Sequence, residues 1–183
     1  SGITNTVLNS LTQAQASNII LYHAIGSKIL AADVPAGPNA KVVTASGDSV
    51  FVTKNSSGVF INGIKVNTAD VGADNGVIHI IGRVLMPPSG NIVETAVASG
   101  LDSLVKAVTR ATTAPGGDPT LANTLSTAKL TVFAPTNAAF TQLLGALSLT
   151  DINQIPIATL LAVLRYHVVG TRAFSSDLVN GNL

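Results

Sequence analysis

An internal repeat is the feature of this sequence that most restricts how the chain can fold. The segment YHAIGSKILAADV, which begins at Tyr22, aligns without a gap with YHVVGTRAFSSDL, which begins at Tyr166. The offset is 144 residues, so the 183 residues hold one full period and an overlap of 39 residues. Self-similarity at a fixed offset indicates a repeated structural unit. We therefore expect the chain to enter one repeat part-way, cross its end, and stop part-way into the next.

Residues 75–88, with the sequence NGVIHIIGRVLMPP, predict the last strand of the first repeat. A turn signal at Asn75 is followed by an apolar run over residues 77–81, with His79 at its centre. Such a run is typical of a buried strand, so we expect its four apolar residues to be buried and His79 to be hydrogen-bonded. Gly82-Arg83 interrupts the run, residues 84–86 resume it, and Pro87-Pro88 ends it, because proline cannot donate to a sheet ladder.

The periodicity of the chain changes at this point. Upstream, a capping-box spacing at Thr12 and Gln15 predicts one helix, and four short runs between turn signals predict an antiparallel meander over residues 41–66. Downstream, Asn91 and Glu94 have the same capping-box spacing. Three apolar stripes at helical spacing follow, around Leu104, Phe140 and Leu160. The sequence therefore divides into a strand-rich part, 1–88, and a helix-rich part, 91–183.

Composition excludes several classes of function. Charged residues make up 10% of the chain, against about 25% in an average protein, and no basic run exists, so nucleic acid is not an expected partner. The chain has no cysteine, which excludes disulfides and thiolate metal sites. No apolar run approaches the roughly 18 residues of a membrane-spanning helix. The chain begins at Ser1 without a signal peptide and is expected to be a mature protein or an excised fragment.

Two motifs resemble the fasciclin domain, an extracellular adhesion module. Residues 75–88, with Asn62-Gly63, Val66, Asp70 and Val71 upstream, are similar to its closing segment, and TVFAPTNAAF, at 131–140, is similar to its opening signature. Fasciclin domains are about as long as the 144-residue offset. The resemblance implies an α+β fold, an antiparallel β-strand wedge with several packed helices. It makes 1–88 the closing part of one repeat and 91–183 the opening part of the next. The motif residues expected to support the fold are His79, Asn75, Thr131, Phe133, Pro135, Asn137 and Phe140.

This permuted order leaves three arrangements open. The two parts could pack within one chain as a circular permutant, between chains head to tail, or within a longer tandem protein. Head-to-tail exchange is a heterologous contact that gives an open filament unless its rotation closes. The partners expected are therefore other copies of the chain or tandem fasciclin repeats, together with cell-surface or matrix components.

The resemblance implies extracellular adhesion or structural assembly, with no catalysis. In animal fasciclin domains the Tyr-His neighbourhood is implicated in integrin binding, which by resemblance maps to Tyr22, His23, Tyr166 and His167. The structural interpretation of both histidines is a hydrogen bond near the end of a helix. The alternative function is a carrier of an apolar ligand such as a lipid or a carotenoid, because some fasciclin relatives bind carotenoids.

No catalytic, metal or cofactor motif is present. The only acid–base set that can be imagined is Asp70, Asp74 and His79, and both aspartates lie among turn residues, which aspartate favours through backbone hydrogen bonds. Walker, dinucleotide and zinc-spaced patterns are absent. The sequence therefore predicts no enzyme activity, cofactor or metal. Asn55-Ser56-Ser57 fits a glycosylation sequon, although a hairpin turn explains it equally well.

Overall fold

The computed structural model describes residues 10–178. These residues form two compact units that divide after Pro87. The strand unit contains the described residues up to Pro87 and those from Ala173 onward. The helix unit is Pro88–Arg172. The fold is α+β, and each unit has its own core.

The strand unit is built on a five-stranded sheet in which each strand pairs antiparallel with the next along the chain, as the meander predicted. A capping box at Thr12 and Gln15 starts the helix before it, also as predicted. The elements are α1 (Gln13–Tyr22), β1 (Gly37–Val43), β2 (Ser49–Asn55), β3 (Gly58–Ile61), β4 (Ile64–Ala73) and β5 (Gly76–Ile81).

The turn between β3 and β4 fixes the register of the sheet. Ile61 pairs directly with Ile64, which leaves Asn62 and Gly63 as the only turn residues. Both have positive φ, 48° and 77°, and this is the backbone that Asn-Gly supplies to a tight hairpin. The register places Asn62 beside β2, where its Oδ1 accepts a hydrogen bond from the Phe51 N–H at 2.8 Å.

The core of the strand unit is small. Tyr22, Val50 and Leu85 are buried together, and partly buried aliphatic residues surround them. Val50 and Val52 lie on one face of β2, since alternate residues of a strand point to opposite faces. The side chain of Phe51 therefore points to the other face, where it packs against Phe174.

The expectation of a fully buried strand at residues 77–81 is wrong. Ile78 is 55% exposed and Ile80 is 47% exposed, while Val77 and Ile81 are only half-buried. The reason is position, because β5 is the edge strand of the sheet and alternate side chains face away from the core. The expected hydrogen bond of His79 is confirmed, with Nε2 2.8 Å from the Ile29 carbonyl oxygen.

The first helix of the helix unit begins at the second predicted capping box, Asn91 and Glu94, which is confirmed. Thr131 and Val132 form a two-residue strand, which pairs antiparallel with the segment after the last helix. The elements are α2 (Ile92–Ala98), α3 (Asp102–Thr113), α4 (Leu121–Thr127), β6 (Thr131–Val132), α5 (Asn137–Ala146), a 3-10 helix (Ile152–Gln154), α6 (Ile157–Tyr166) and β7 (Val168–Val169).

The three predicted apolar stripes meet in the core of the helix unit. Leu104, Phe140 and Leu160 are each at most 7% exposed and belong to one buried cluster. Leu143 and Leu144 pack against this cluster, so the stripe of α5 is buried inside the helix unit. Leu147, the last member of that stripe, is 45% exposed because the helix ends at Ala146 and Leu147 is its C-cap.

Candidate functional site

The two Tyr-His copies end their helices in the same way. The helices α1 and α6 are each 10 residues long and end at Tyr22 and Tyr166, with the histidine as C-cap. Nδ1 of His23 lies 2.7 Å from the carbonyl oxygen four residues earlier, and Nδ1 of His167 makes the same contact at 2.7 Å. The ring thus closes the last helical turn in both copies, near the helix end where the histidines were expected to bond.

The segments after the two helices also match. The Leu30 N–H donates to Oδ2 of Asp33 at 2.9 Å, and the equivalent Phe174 N–H donates to Oδ2 of Asp177 at 2.8 Å. Both aspartates close a turn that begins three residues earlier. The predicted equivalence of the two copies is confirmed from the helix through this turn.

Tyr22 is the central buried side chain of the first copy. It is 2% exposed, its hydroxyl donates to the Ser49 carbonyl at 3.1 Å, and it accepts from Nδ2 of Asn62 at 3.0 Å. The Leu85 N–H donates to Nε2 of His23 at 2.9 Å. Because Nε2 accepts, the proton of the ring must sit on Nδ1, which then donates to its own helix. The strand unit therefore recognises the end of α1 through both a tyrosine and a histidine.

Tyr166 occupies the equivalent position in the second copy and is 90% exposed. Its ring meets the edge of the His167 ring, with centroids 6.2 Å apart. The opposite faces of the two helices show the reverse pattern, since Ile20 is 68% exposed and its equivalent Leu164 is 5% exposed. In each copy, the helix face that packs against its own unit is buried, and the opposite face is exposed.

The end of α6 is held to its own unit by polar contacts. Arg165, next to Tyr166, donates to Oδ2 of Asp118 at 2.9 Å. The pKa of Asp118 is lowered, first by the hydrogen bond from the Thr120 hydroxyl and then by the one from Arg165. A second exposed pair joins Lys106 to Asp151 at 2.7 Å, and the hydrogen bond from this lysine lowers the pKa of Asp151.

A groove on the strand unit holds the turn at the end of the second copy. Oγ1 of Thr53 donates to Oδ1 of Asp177 at 2.7 Å, and Nδ2 of Asn39 donates to its Oδ2 at 3.1 Å. Nδ2 of Asn55 donates to the Ser176 carbonyl at 3.1 Å. This groove was not predicted, because contacts over more than 120 residues leave no local pattern.

Aromatic packing completes the groove. The rings of Phe51 and Phe174 have centroids 6.2 Å apart. A Cβ built on Gly63 would lie 3.1 Å from the Cβ of Phe174, so the turn glycine allows this close approach. Phe51 and Thr53 alternate along β2 with Val50, which belongs to the Tyr22 core, and with the buried Val52. The sheet therefore binds the end of the first copy on one face and the turn of the second copy on the other.

Two members of the imagined set of Asp70, Asp74 and His79 make contacts that hold the fold. Asp70 and His79 approach to 4.0 Å, and Oδ1 of Asp70 accepts from the Ala31 N–H at 2.9 Å. Nζ of Lys54 donates to the carbonyl oxygen of Ala31 at 2.9 Å. Together with the bond from His79, these contacts fasten the segment after α1 to the sheet.

The motif residues expected to support the fold have mixed positions. Asn137 links two segments, since its Oδ1 accepts from the Ser103 N–H and its Nδ2 donates to the Gly100 carbonyl, each at 2.9 Å. Phe140 is 3% exposed. Phe133 is 45% exposed, and Asn75 lies on the surface at the turn before β5. Thr131 and Pro135 are half-buried.

A cavity of about 150 Å³ lies inside the helix unit. It is lined mainly by aliphatic side chains of α2, α3 and α4, and its lining also includes His167 and two threonines of α3. Over residues 10–178, no three His, Asp or Glu side chains are grouped as metal ligands would be. In the same range, no helix has the length and apolar character needed to cross a bilayer.

Comparisons with known proteins agree with this architecture. The fasciclin-domain family matches residues 1–87 and 103–183. Protein sll1483 of Synechocystis sp. is 39% identical over 70 residues, which is 38% of this chain and 37% of that protein. Mouse stabilin-2 is 28% identical over 175 residues, which is 89% of this chain and 6% of that protein. The chain thus spans a small part of each relative.

A solved structure also aligns with most of the chain. It is described as a FAS1 domain pair from the insect cell adhesion molecule fasciclin I. The identity is 18%, the TM-score is 0.38, and the alignment covers 94% of this chain and 63% of that one.

Proposed function

Because the chain belongs to the fasciclin-domain family, we propose that it is an extracellular adhesion or structural-assembly module. In this role it acts through protein–protein contact and carries out no catalysis. Its partners are other copies of itself, tandem fasciclin repeats, or components of a cell surface or matrix. Adhesion is the role that the resemblance implies for the family.

The observation that carries the proposal is the contrast between Tyr22 and Tyr166. Equivalent residues are 2% and 90% exposed, and the reverse holds for Leu164 and Ile20 on the opposite helix face. Exposed large apolar groups that cluster on one surface mark interaction sites. The two half-covered helices present different uncovered surfaces, and this suits association in a head-to-tail series.

Such a series gives a fibre or a layered matrix. A contact between two different surfaces is heterologous, so it propagates unless the rotation between subunits closes a ring. The low content of charged residues, 10%, suits this use, because few charges oppose close packing of neighbouring chains. Each junction would then resemble a protein core cut in two.

Bead clustering tests the adhesion function. Beads that carry the full chain through a terminal tag are mixed, and their clustering and attachment to matrix-coated surfaces are recorded over time. We expect both to exceed those of beads that carry the heat-unfolded chain. Equal behaviour of folded and unfolded coatings would refute the proposal.

The second candidate function is transport of an apolar ligand, and the cavity in the helix unit favours it. Its aliphatic walls fit an acyl chain or a polyene, and His167 and two threonines are its polar contacts. Purified protein would then contain extractable lipid or absorb visible light. Solvent extraction followed by mass spectrometry tests this, and a clean extract from protein purified from its native source would reject it.

A further inference from the structure

We propose that the end of α6, formed by Tyr166 and His167, is a docking site for the strand unit of a second copy of this chain. The inference rests on the proposed function, because it names the partner and the atoms of the assembly contact. Its basis is the contact that the same strand unit already makes with the equivalent end of α1. The second copy is therefore the occupant whose complementary surface is visible in the structure.

The first copy specifies the geometry of docking atom by atom. In the assembly, the hydroxyl of Tyr166 takes the place of the Tyr22 hydroxyl, donating to the partner copy's Ser49 carbonyl and accepting from its Asn62 amide, as seen for Tyr22. Nε2 of His167 accepts from the backbone N–H of the partner's Leu85, as Nε2 of His23 does within the chain.

The end of α6 is already arranged for this contact. The ring of His167 is fixed by the same kind of Nδ1 bond to its own helix as the ring of His23. Over the described residues, Nε2 of His167 has no hydrogen bond. Arg165, which stands where the first copy has Leu21, is bonded to Asp118 of its own unit. The tyrosine ring is 90% exposed. Docking therefore requires no rearrangement of the helix end.

The acceptor pocket on the strand unit is occupied by the chain's own Tyr22, so α1 acts as a plug that must leave. Tyr22 is the only buried residue of α1, whereas α6 buries both Leu160 and Leu164. Ile20, on the other face of α1, is 68% exposed. The plug is thus held by one buried side chain, Tyr22, and by the hydrogen bond from the Leu85 N–H to His23. Its replacement by Tyr166 and His167 exchanges equivalent contacts, as in domain swapping.

This exchange gives each chain one donor and one acceptor. The donor is the end of α6, and the acceptor is the pocket between Val50 and Leu85 that opens when α1 leaves. Association is then head to tail. A chain that lacks the donor can still accept, so it should stop the growth of an assembly of intact chains.

Sedimentation velocity of the full chain over a concentration series tests the inference. The donor variant is Tyr166→Ser, which removes an exposed ring and should leave the fold intact. Its matched control is Val97→Ser, which removes a 57% exposed side chain elsewhere on the helix unit. We expect Tyr166→Ser to weaken self-association by about tenfold or more, the usual effect of removing an aromatic anchor, while the control stays near the wild type.

The acceptor is tested with Tyr22→Phe, which keeps the ring but loses both hydroxyl bonds of the plug. We expect stronger self-association than in the wild type, and we expect an excess of Tyr166→Ser chains to shorten wild-type assemblies. Unchanged association of Tyr166→Ser would overturn the inference, while clustering of coated beads would still support the adhesion function. If the wild type and Tyr22→Phe both stay monomeric and the beads do not cluster, the proposed function fails as well.

Discussion

Oγ1 of Thr53 donates a hydrogen bond of 2.7 Å to the carboxylate of Asp177, which lies 124 residues later in the chain. Thr53 is 3% exposed, so this bond is shielded from water. Asp177 is the repeat equivalent of Asp33, and both aspartates cap the same turn. One sheet therefore binds a segment from each repeat copy.

Replacing Thr53 with Val tests this bond. The variant keeps the shape of the side chain but removes the 2.7 Å bond to Oδ1 of Asp177, which then keeps only the Ser176 hydroxyl at 3.2 Å. It also removes the acceptor of the Asn39 N–H. We expect a loss of about 1–3 kcal/mol in the free energy of holding the C-terminal turn, the usual cost of a shielded bond to a charged group. Hydrogen exchange at the Phe174 amide, which bonds Asp177, measures it. The control is Thr113→Val, whose hydroxyl bonds only within its own helix, and equal exchange in both variants would contradict the assignment.

The repeat predicts opposite effects at two equivalent positions. Leu164→Ala removes a side chain that is 5% exposed and should cost about 2–5 kcal/mol of the free energy of unfolding. Ile20→Ala removes one that is 68% exposed and should cost under about 0.5 kcal/mol. Urea denaturation at high dilution measures both. A large cost at Ile20 in the monomer would show that this face of α1 is already covered.

Asn137 should be a strong anchor of the helix unit. Its side chain bonds both the Gly100 carbonyl and the Ser103 N–H at the start of α3. Asn137→Ala removes both bonds, and we expect a loss of about 1–2 kcal/mol, as for other capping side chains. Asn123→Ala, at an exposed position of α4, is the matched control. Thermal unfolding followed by circular dichroism compares them, and indistinguishable midpoints would refute the anchor role.

Acid should weaken the helix unit partly through Asp118. Its pKa is lowered below the ordinary 3.8, first by the Thr120 hydroxyl and then by Arg165. A lowered folded-state pKa contributes stability that is present above the ordinary value and is lost as the pH falls through the lowered one. Asp118→Asn should therefore flatten the fall in urea midpoint between roughly pH 4 and pH 2. Thr120→Val should flatten it too, and parallel slopes for all three proteins would contradict the assignment.

Local signals in the sequence were sufficient for much of the fold. Both capping boxes, the Asn62-Gly63 hairpin and the equivalence of the two copies were predicted, because each depends on residues close together in the chain or on a direct match of segments. The exposure of Ile78 and Ile80 was not predicted. A short apolar run does not reveal whether its strand is central or at the edge of a sheet.

The candidate site was only partly visible in the sequence. The match of Tyr22 with Tyr166 indicated equivalent positions, but it did not indicate that one ring is buried and the other exposed. That difference depends on which unit surrounds each helix. The contact of Thr53 with Asp177 likewise depends on how the chain returns to the sheet, which periodicity does not encode.

The most direct test of the exchange of Tyr166 for Tyr22 uses the tyrosines themselves, because the chain contains two tyrosines and no tryptophan. Fluorotyrosine incorporated into the full chain gives one fluorine NMR signal for each ring, assigned with Tyr22→Phe, and a soluble paramagnetic agent reports the exposure of each ring. At high dilution the Tyr166 signal should broaden strongly and the Tyr22 signal should not. As the concentration rises and the chain associates, Tyr166 should become protected while Tyr22 becomes accessible. Assemblies in which Tyr22 stays protected and Tyr166 stays accessible would contradict the account.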